Sequence, residues 1–351
     1  MSGDLTADRR PFEAFWWLCK RLGLFWIARR LTRRRVRILC YHGFGTENEI
    51  GFRRGLFITP ETFARRLDYV RSHHFSVVSL PDALRALDEG ASRDGLTVIT
   101  VDDVFFGFYQ HAWPLLKRYG FPVTAYLTTY YARQPGPVFR LAIRFILWKT
   151  SAVKIDLSNV DERLHGVFDL TRASARDDAG SEIIALGESR PTEVERTALM
   201  HRTAAALGVD CAPLLQARTV DIVTLDEARE LARNGVDLQL HTHRHRLPEE
   251  AHALKKEIDD NRAVLALITD GRFEHLCYPS GIWKESQWPA ITAAGIASAT
   301  TCDAGLNSAA TPRLALKRLL DSEEVSQISF EAEMSGLKSL LRTLRTKVSV
   351  A

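Results

Sequence analysis

The sequence predicts an α/β protein: a distorted (β/α) barrel of about seven parallel strands, with a helical insertion and terminal helices. Three observations point there. Strand-like and helix-like stretches alternate over most of the chain, the strand candidates are short apolar runs rich in β-branched residues, and several of them end in ionisable tips. With 351 residues and 46% hydrophobic content, the chain can bury a barrel-sized core.

Residues 1–36 form a basic, aromatic, amphipathic segment. Arg9, Arg10, Lys20, Arg21, Arg29, Arg30, Arg33, Arg34, Arg35 and Arg37 are interleaved with Phe12, Phe15, Trp16, Trp17, Phe25 and Trp26, and only Asp4, Asp8 and Glu13 oppose them. No apolar run reaches the ~18 residues of a spanning helix, and no cleavage site follows a clean apolar core. Helical spacing places Phe15, Leu18, Leu22, Phe25 and Trp26 on one side. That pattern fits a peripheral membrane contact through residues 9–37 as well as it fits a helix docked on the protein's own core.

The alternation begins with "VRILCYHG" (36–43), which reads as a buried strand with a polar tip. In "ITPETFARRLDYVRSHHF", Thr59 is an N-cap, Pro60 opens a helix, and Phe63, Leu67 and Val70 form its apolar stripe. "LTVITVDD" is a strand, "HAWPLLKRYG" a helix stopped by Gly120, and "FPVTAYLTT" another strand. Residues 133–223 break the rhythm. They pass through the apolar "LAIRFILWKT" into polar, irregular sequence including "TRASARDDAGSE", and predict an insertion, partly helical, that covers one side of the site. "TLDEARELARNG" resumes as a helix before "VDLQLHTHRH", and "FEHLCYPSG", "GIASATTC" and "LALKRLLD" supply the remaining strands, so that the barrel occupies 37–330. Residues 331–351 end the chain as a basic amphipathic helix with a small tail, suited to packing or to a second membrane contact.

Charge and cysteine usage narrow the function classes. The balance of 47 Lys+Arg against 43 Asp+Glu is only +4, and the basic residues gather with Trp and Phe at one end, so nucleic acid is not the expected partner. Five scattered cysteines without a CxxC pair fit reduced thiols and a cytoplasmic location, peripheral to the inner membrane face if the N-terminal segment binds lipid.

The chemistry sits at the strand tips. Adjacent carboxylates leaving a strand point to opposite sides, so Asp102 and Asp103 are expected to do different jobs. His241 and His245 are four apart, and a tight turn lets both imidazoles converge on one ion. Two histidines and one aspartate leave positions open for water, as a catalytic zinc requires. The plainer alternatives are a solvated acidic turn and a basic histidine loop. His243 shares a strand face with His241 and is the other candidate for second ligand.

"TVDD", "HTHRH" and "YPSG", in that order, resemble the TFDDG, H(S/T)xxH and RxPYG or YPYG motifs of carbohydrate esterase family 4, the polysaccharide deacetylases, and most closely its YPYG-type branch. The likeness extends over roughly residues 37–330, the insertion excepted. It implies a metal-dependent hydrolase that removes N-acetyl groups from amino sugars of a polysaccharide, oligosaccharide or lipid-linked saccharide, as in the synthesis of cell-surface polysaccharide. By the same resemblance Asp103, His241 and His245 would bind a divalent metal, Zn2+ foremost with Co2+ or Ni2+ as alternatives. Asp102 would be the general base, the Ser280 N–H an oxyanion donor, and Arg318 would orient the base in place of the arginine that Cys277 replaces. Val104 stands where the family has glycine. The family's late-strand histidine, its general acid, has no counterpart in "LALKRLLDSE"; His42 is the nearest substitute, with a structural role the equal alternative. A degraded member that only binds a glycan or glycolipid at a membrane is the competing function.

Overall fold

A computed structural model describes residues 10–90, 95–190 and 192–348. Two compact units emerge, one drawn from Met1–Val104, Phe108–Tyr130 and Leu225–Ala351, the other from Phe105–Gly107 and Tyr131–Thr224.

The first unit is the barrel. Its strands are β1 (Arg37–Tyr41), β2 (Thr97–Asp103), β3 (Thr124–Leu127), β4 (Asp237–Leu240), β5 (His275–Cys277), β6 (Ser298–Ala304) and β7 (Leu316–Leu320). They close in sequence order, and β7 returns to pair with β1. All neighbours are parallel: Leu39 of β1 lies opposite Ile99 of β2 and Leu319 of β7. A parallel barrel is covered on both faces, which is why β1 and β2 read as unbroken apolar runs and are buried nearly throughout. The helix Pro60–Ser72 starts as the sequence predicts, with the Thr59 hydroxyl accepting from the Thr62 N–H, and it buries Phe63, Leu67 and Val70.

The second unit contains the insertion. "TRASARDDAGSE" is not irregular: most of it belongs to the helix Ala173–Glu188. Its buried face is made of Ala179, Gly180, Ile183, Ile184 and Gly187, too small and too mixed to give a clear apolar period. Gly187 allows close approach to the helix Phe139–Lys149, since a Cβ there would land on the Phe139 ring.

The terminal segments form helices at Arg10–Arg21, Leu24–Leu31, Gln327–Met334 and Leu337–Val348. Arg9 and the rest of residues 1–9, and the tail at 349–351, lie outside the described residues. Gly23, with φ +75°, breaks the N-terminal segment into two helices. That break separates residues expected on one face: Phe25 turns inward to pack with Cys19, Ile328 and Ala332, while Phe15, Leu18, Leu22 and Trp26 stay exposed. Buried Arg37 ties β1 to both ends, its Nε donating to the Met334 carbonyl at 2.6 Å and its Nη2 to the Thr32 hydroxyl at 2.9 Å. Among the described residues no helix is long and apolar enough to cross a membrane.

Candidate active site

The tips of β1, β2, β4, β5 and β7 bring His42, Asp102, Asp103, His241, Cys277 and Arg318 to the C-terminal end of the barrel, where barrel proteins place their chemistry. Asp102 is 2% exposed. Arg318, itself fully buried, grips it with two parallel bonds: Nη1 to Oδ1 and Nη2 to Oδ2, each 2.7 Å. The guanidinium is held in turn by the Thr301 carbonyl, which accepts from Nε at 2.7 Å. Two thiols add to the cluster, Cys277 Sγ at 3.3 Å and Cys40 Sγ at 3.6 Å from Asp102 Oδ2. Burial alone would raise the Asp102 pKa; the Arg318 charge overrides it and holds the carboxyl well below the usual range.

Asp103 leaves the strand differently. Its φ of +63° and the +64° of Val104 turn the backbone left-handed at the strand end. For a β-branched residue such as Val104, fully buried here, that conformation costs about 1–2 kcal/mol. The turn delivers Asp103 Oδ1 to His245 Nε2 at 3.2 Å and His241 Nε2 at 3.4 Å. The His241 imidazole is not free to swing. His241 Nδ1–H donates to the Cys277 carbonyl at 2.9 Å, which fixes the tautomer and leaves Nε2 facing Asp103. The loop from His241 to His245 is closed by Arg246 N–H donating to the Thr242 hydroxyl at 3.0 Å, with Thr242 and His245 both at positive φ.

The donor set fits a divalent cation. Tetrahedral zinc with ligands at ~2.0–2.1 Å separates its ligand atoms by about 3.3 Å, close to both contacts on Asp103. Burial, outweighing the Asp103 charge, lowers the His245 pKa to about 4, so at neutral pH its Nε2 offers a lone pair. For His241, burial works against the charged form, yet Cys277 and Asp103 raise its pKa well above the ordinary imidazole value. Three ligand atoms that stabilise a proton between them also suit a metal ion in its place. Two further groupings, Asp102 with His241 and Cys277, and Asp102 with Cys40 and His42, are compact enough to hold an ion. Both share Asp102 with the Arg318 guanidinium, whose charge disfavours a second cation on that carboxylate.

The other candidates separate cleanly. His243 turns away from the cluster, its Nδ1 paired with the Thr129 hydroxyl at 2.9 Å, which leaves His245 as the second histidine on Asp103. His42 Nε2 lies 3.5 Å from Asp102 Oδ2 and is partly exposed. Ser280 is exposed on the turn after β5 at φ +57°, and among the described residues no hydrogen bond ties it to the ligand set. Asn261 went unnoticed in the sequence. From the helix Ala251–Leu265 its Oδ1 accepts from the His241 N–H at 2.9 Å, while Nδ2 donates to the Leu127 carbonyl and the Thr129 hydroxyl. The available signal was an amide on the apolar stripe of Leu254, Ile258 and Leu265.

Residues 199–299 match the family model described as polysaccharide deacetylase. Over that stretch the sequence is similar to the polysaccharide deacetylases. Solved structures share the fold of this chain. The Streptococcus pyogenes deacetylase PplD in complex with acetate is 17% identical, with a TM-score of 0.56, 86% of this chain covered and 99% of that one. IcaB from Ammonifex degensii is 16% identical at a TM-score of 0.55, covering 86% and 97%. A de-N-acetylase from Aggregatibacter actinomycetemcomitans is 14% identical at 0.54, covering 85% and 99%. No curated protein matches the sequence.

Proposed function

We propose that this protein is a metal-dependent hydrolase that removes N-acetyl groups from amino sugars of a polysaccharide, oligosaccharide or lipid-linked saccharide. The observation that carries the proposal is the convergence of His241 and His245 on Asp103, directly beside an Asp102 that Arg318 keeps ionised. In this reading Asp103, His241 and His245 hold a divalent ion, zinc first among the candidates, with cobalt or nickel able to use the same ligands. When bound, such an ion polarises the acetyl carbonyl and acidifies an attacking water.

The chain's own residues supply the remaining steps. Asp102 accepts the proton from the attacking water, and Arg318 fixes the direction in which its carboxylate presents itself. Cys277 serves both halves of the site, its carbonyl orienting His241 and its thiol bonding Asp102. His42, partly exposed and 3.5 Å from Asp102, is the group we assign to protonate the leaving amine. The backbone N–H of Ser280, on the turn after β5, is assigned to the oxyanion. The five cysteines are free thiols, which fits a reducing, cytoplasmic setting.

Acetate release from N-acetylglucosamine oligomers, before and after chelation and with zinc, cobalt or nickel returned, tests the proposal. Release that stops on chelation and recovers with metal supports it. Release that is indifferent to chelation would remove the metal from the account.

A further inference from the structure

The N-terminal helices Arg10–Arg21 and Leu24–Leu31 present two unlike faces. One packs on the C-terminal helices through Cys19, Phe25, Trp16 and Leu24. The other leaves Trp17, Leu18, Leu22, Trp26 and Leu31 uncovered, with Trp26 67% and Leu31 69% exposed. Single exposed apolar residues are ordinary; so many large ones on two consecutive helices mark an interaction surface.

The surrounding charge says what the surface meets. Glu13 is the only acidic residue between 10 and 36, against Arg10, Lys20, Arg21, Arg29, Arg30, Arg33, Arg34 and Arg35. Arg21, Arg30, Arg33 and Arg34 are exposed, and among the described residues none of them pairs with a carboxylate. Lys20, whose charge is already paired with Glu331, sits over the Trp17 ring, while exposed Arg30 lies over the Trp26 ring and presents cation and indole together at the edge of the apolar face. Indoles and arginines side by side, around leucines that point outward, match the headgroup boundary of a bilayer: leucine enters the acyl region, tryptophan sits at the interface and arginine meets lipid phosphate. A second copy of the chain is a poorer partner, because an isologous contact would set these unpaired arginines against themselves.

We infer that the exposed face of the two N-terminal helices docks the protein on an anionic lipid bilayer. The contact lies in the interface plane, since neither helix is long enough to span. Arg37, bonded to Thr32 and Met334, anchors β1 to this docked base and fixes the catalytic barrel to the lipid surface. The inference stands independently of the deacetylase reaction.

Co-sedimentation of the full chain with vesicles tests it, using phosphatidylcholine alone and an equal mixture of phosphatidylcholine and phosphatidylglycerol. Binding to the mixed vesicles, with a blue shift in tryptophan emission, is expected, together with weak binding to phosphatidylcholine. Trp17→Ser combined with Trp26→Ser, and separately Arg30→Glu with Arg33→Glu and Arg34→Glu, should each weaken binding by about tenfold or more. These side chains are exposed, so an unchanged melting temperature shows that the fold survives. Wild-type protein that stays in the supernatant with the mixed vesicles would overturn the inference. So would undiminished binding by the charge-reversed variant, or a wild-type dimer that the tryptophan substitutions convert to monomer, which would assign the face to a second copy.

Discussion

Asp102 and Asp103 are neighbours at the end of one strand, yet the protein treats them in opposite ways. Asp102 is satisfied from within: a bidentate arginine and two thiols surround it, and it is buried. Among the described residues, the ion-pair partners of Asp103 are two imidazole nitrogens, both aimed at the space its carboxylate shares. The difference originates in the backbone, where left-handed Asp103 and Val104 turn the second carboxylate out of the environment of the first. The arginine half is therefore expected to be a matter of stability and proton transfer, the histidine half a matter of metal.

Substitutions can break or sharpen that contrast. The largest effect on stability is expected for Arg318→Leu, which leaves Asp102 a buried, uncompensated charge; urea unfolding should show a loss of about 3–5 kcal/mol. A loss within experimental error would mean that Asp102 is not held as the geometry indicates. Next comes Asn261→Ala, which strands the His241 N–H and the Leu127 carbonyl. A destabilisation of about 1–3 kcal/mol is expected, with zinc affinity lowered by roughly 10–100-fold in a competition titration.

Val104 gives a smaller but sharper test. Glycine in place of alanine ordinarily destabilises, but at φ +64° the order should invert, with Val104→Gly more stable than Val104→Ala by about 1 kcal/mol in thermal melts. The smallest effect is expected for His245→Ala. Its metal-free form should unfold within about 1 kcal/mol of the metal-free wild type, while stoichiometric metal is lost. A large drop in the stability of the metal-free form would make His245 structural and blur the division between the two halves.

Much of the barrel was legible because its signals are local. Each strand is a short apolar run, and Thr59–Pro60 and Gly120 punctuate their helices as isolated sequences would. The site's charged members were legible for a similar reason, since strand tips are where a parallel barrel exposes polar groups. What escaped depends on distance along the chain. Cys40 meets Asp102 across 62 residues, and nothing near it announces the contact; Cys277, 175 residues away, was marked only by standing where the family's arginine is expected. Asn261 looks like one more polar residue on a charged helix until its face is known. In the insertion, the helix Ala173–Glu188 hid because glycine and alanine, poor signals of a buried face, are what its close packing needs. In the N-terminal segment, a single αL residue at Gly23 divided a face expected to be shared, burying Phe25 and leaving Phe15, Leu18, Leu22 and Trp26 exposed.

The most direct test of the division is metal content measured beside acetate release for Asp102→Asn, Asp103→Asn and the wild type. Asp102→Asn should retain one equivalent of metal and lose turnover, whereas Asp103→Asn should lose both. Equal metal loss in the two variants, or a wild type that stays folded and binds none, would contradict it.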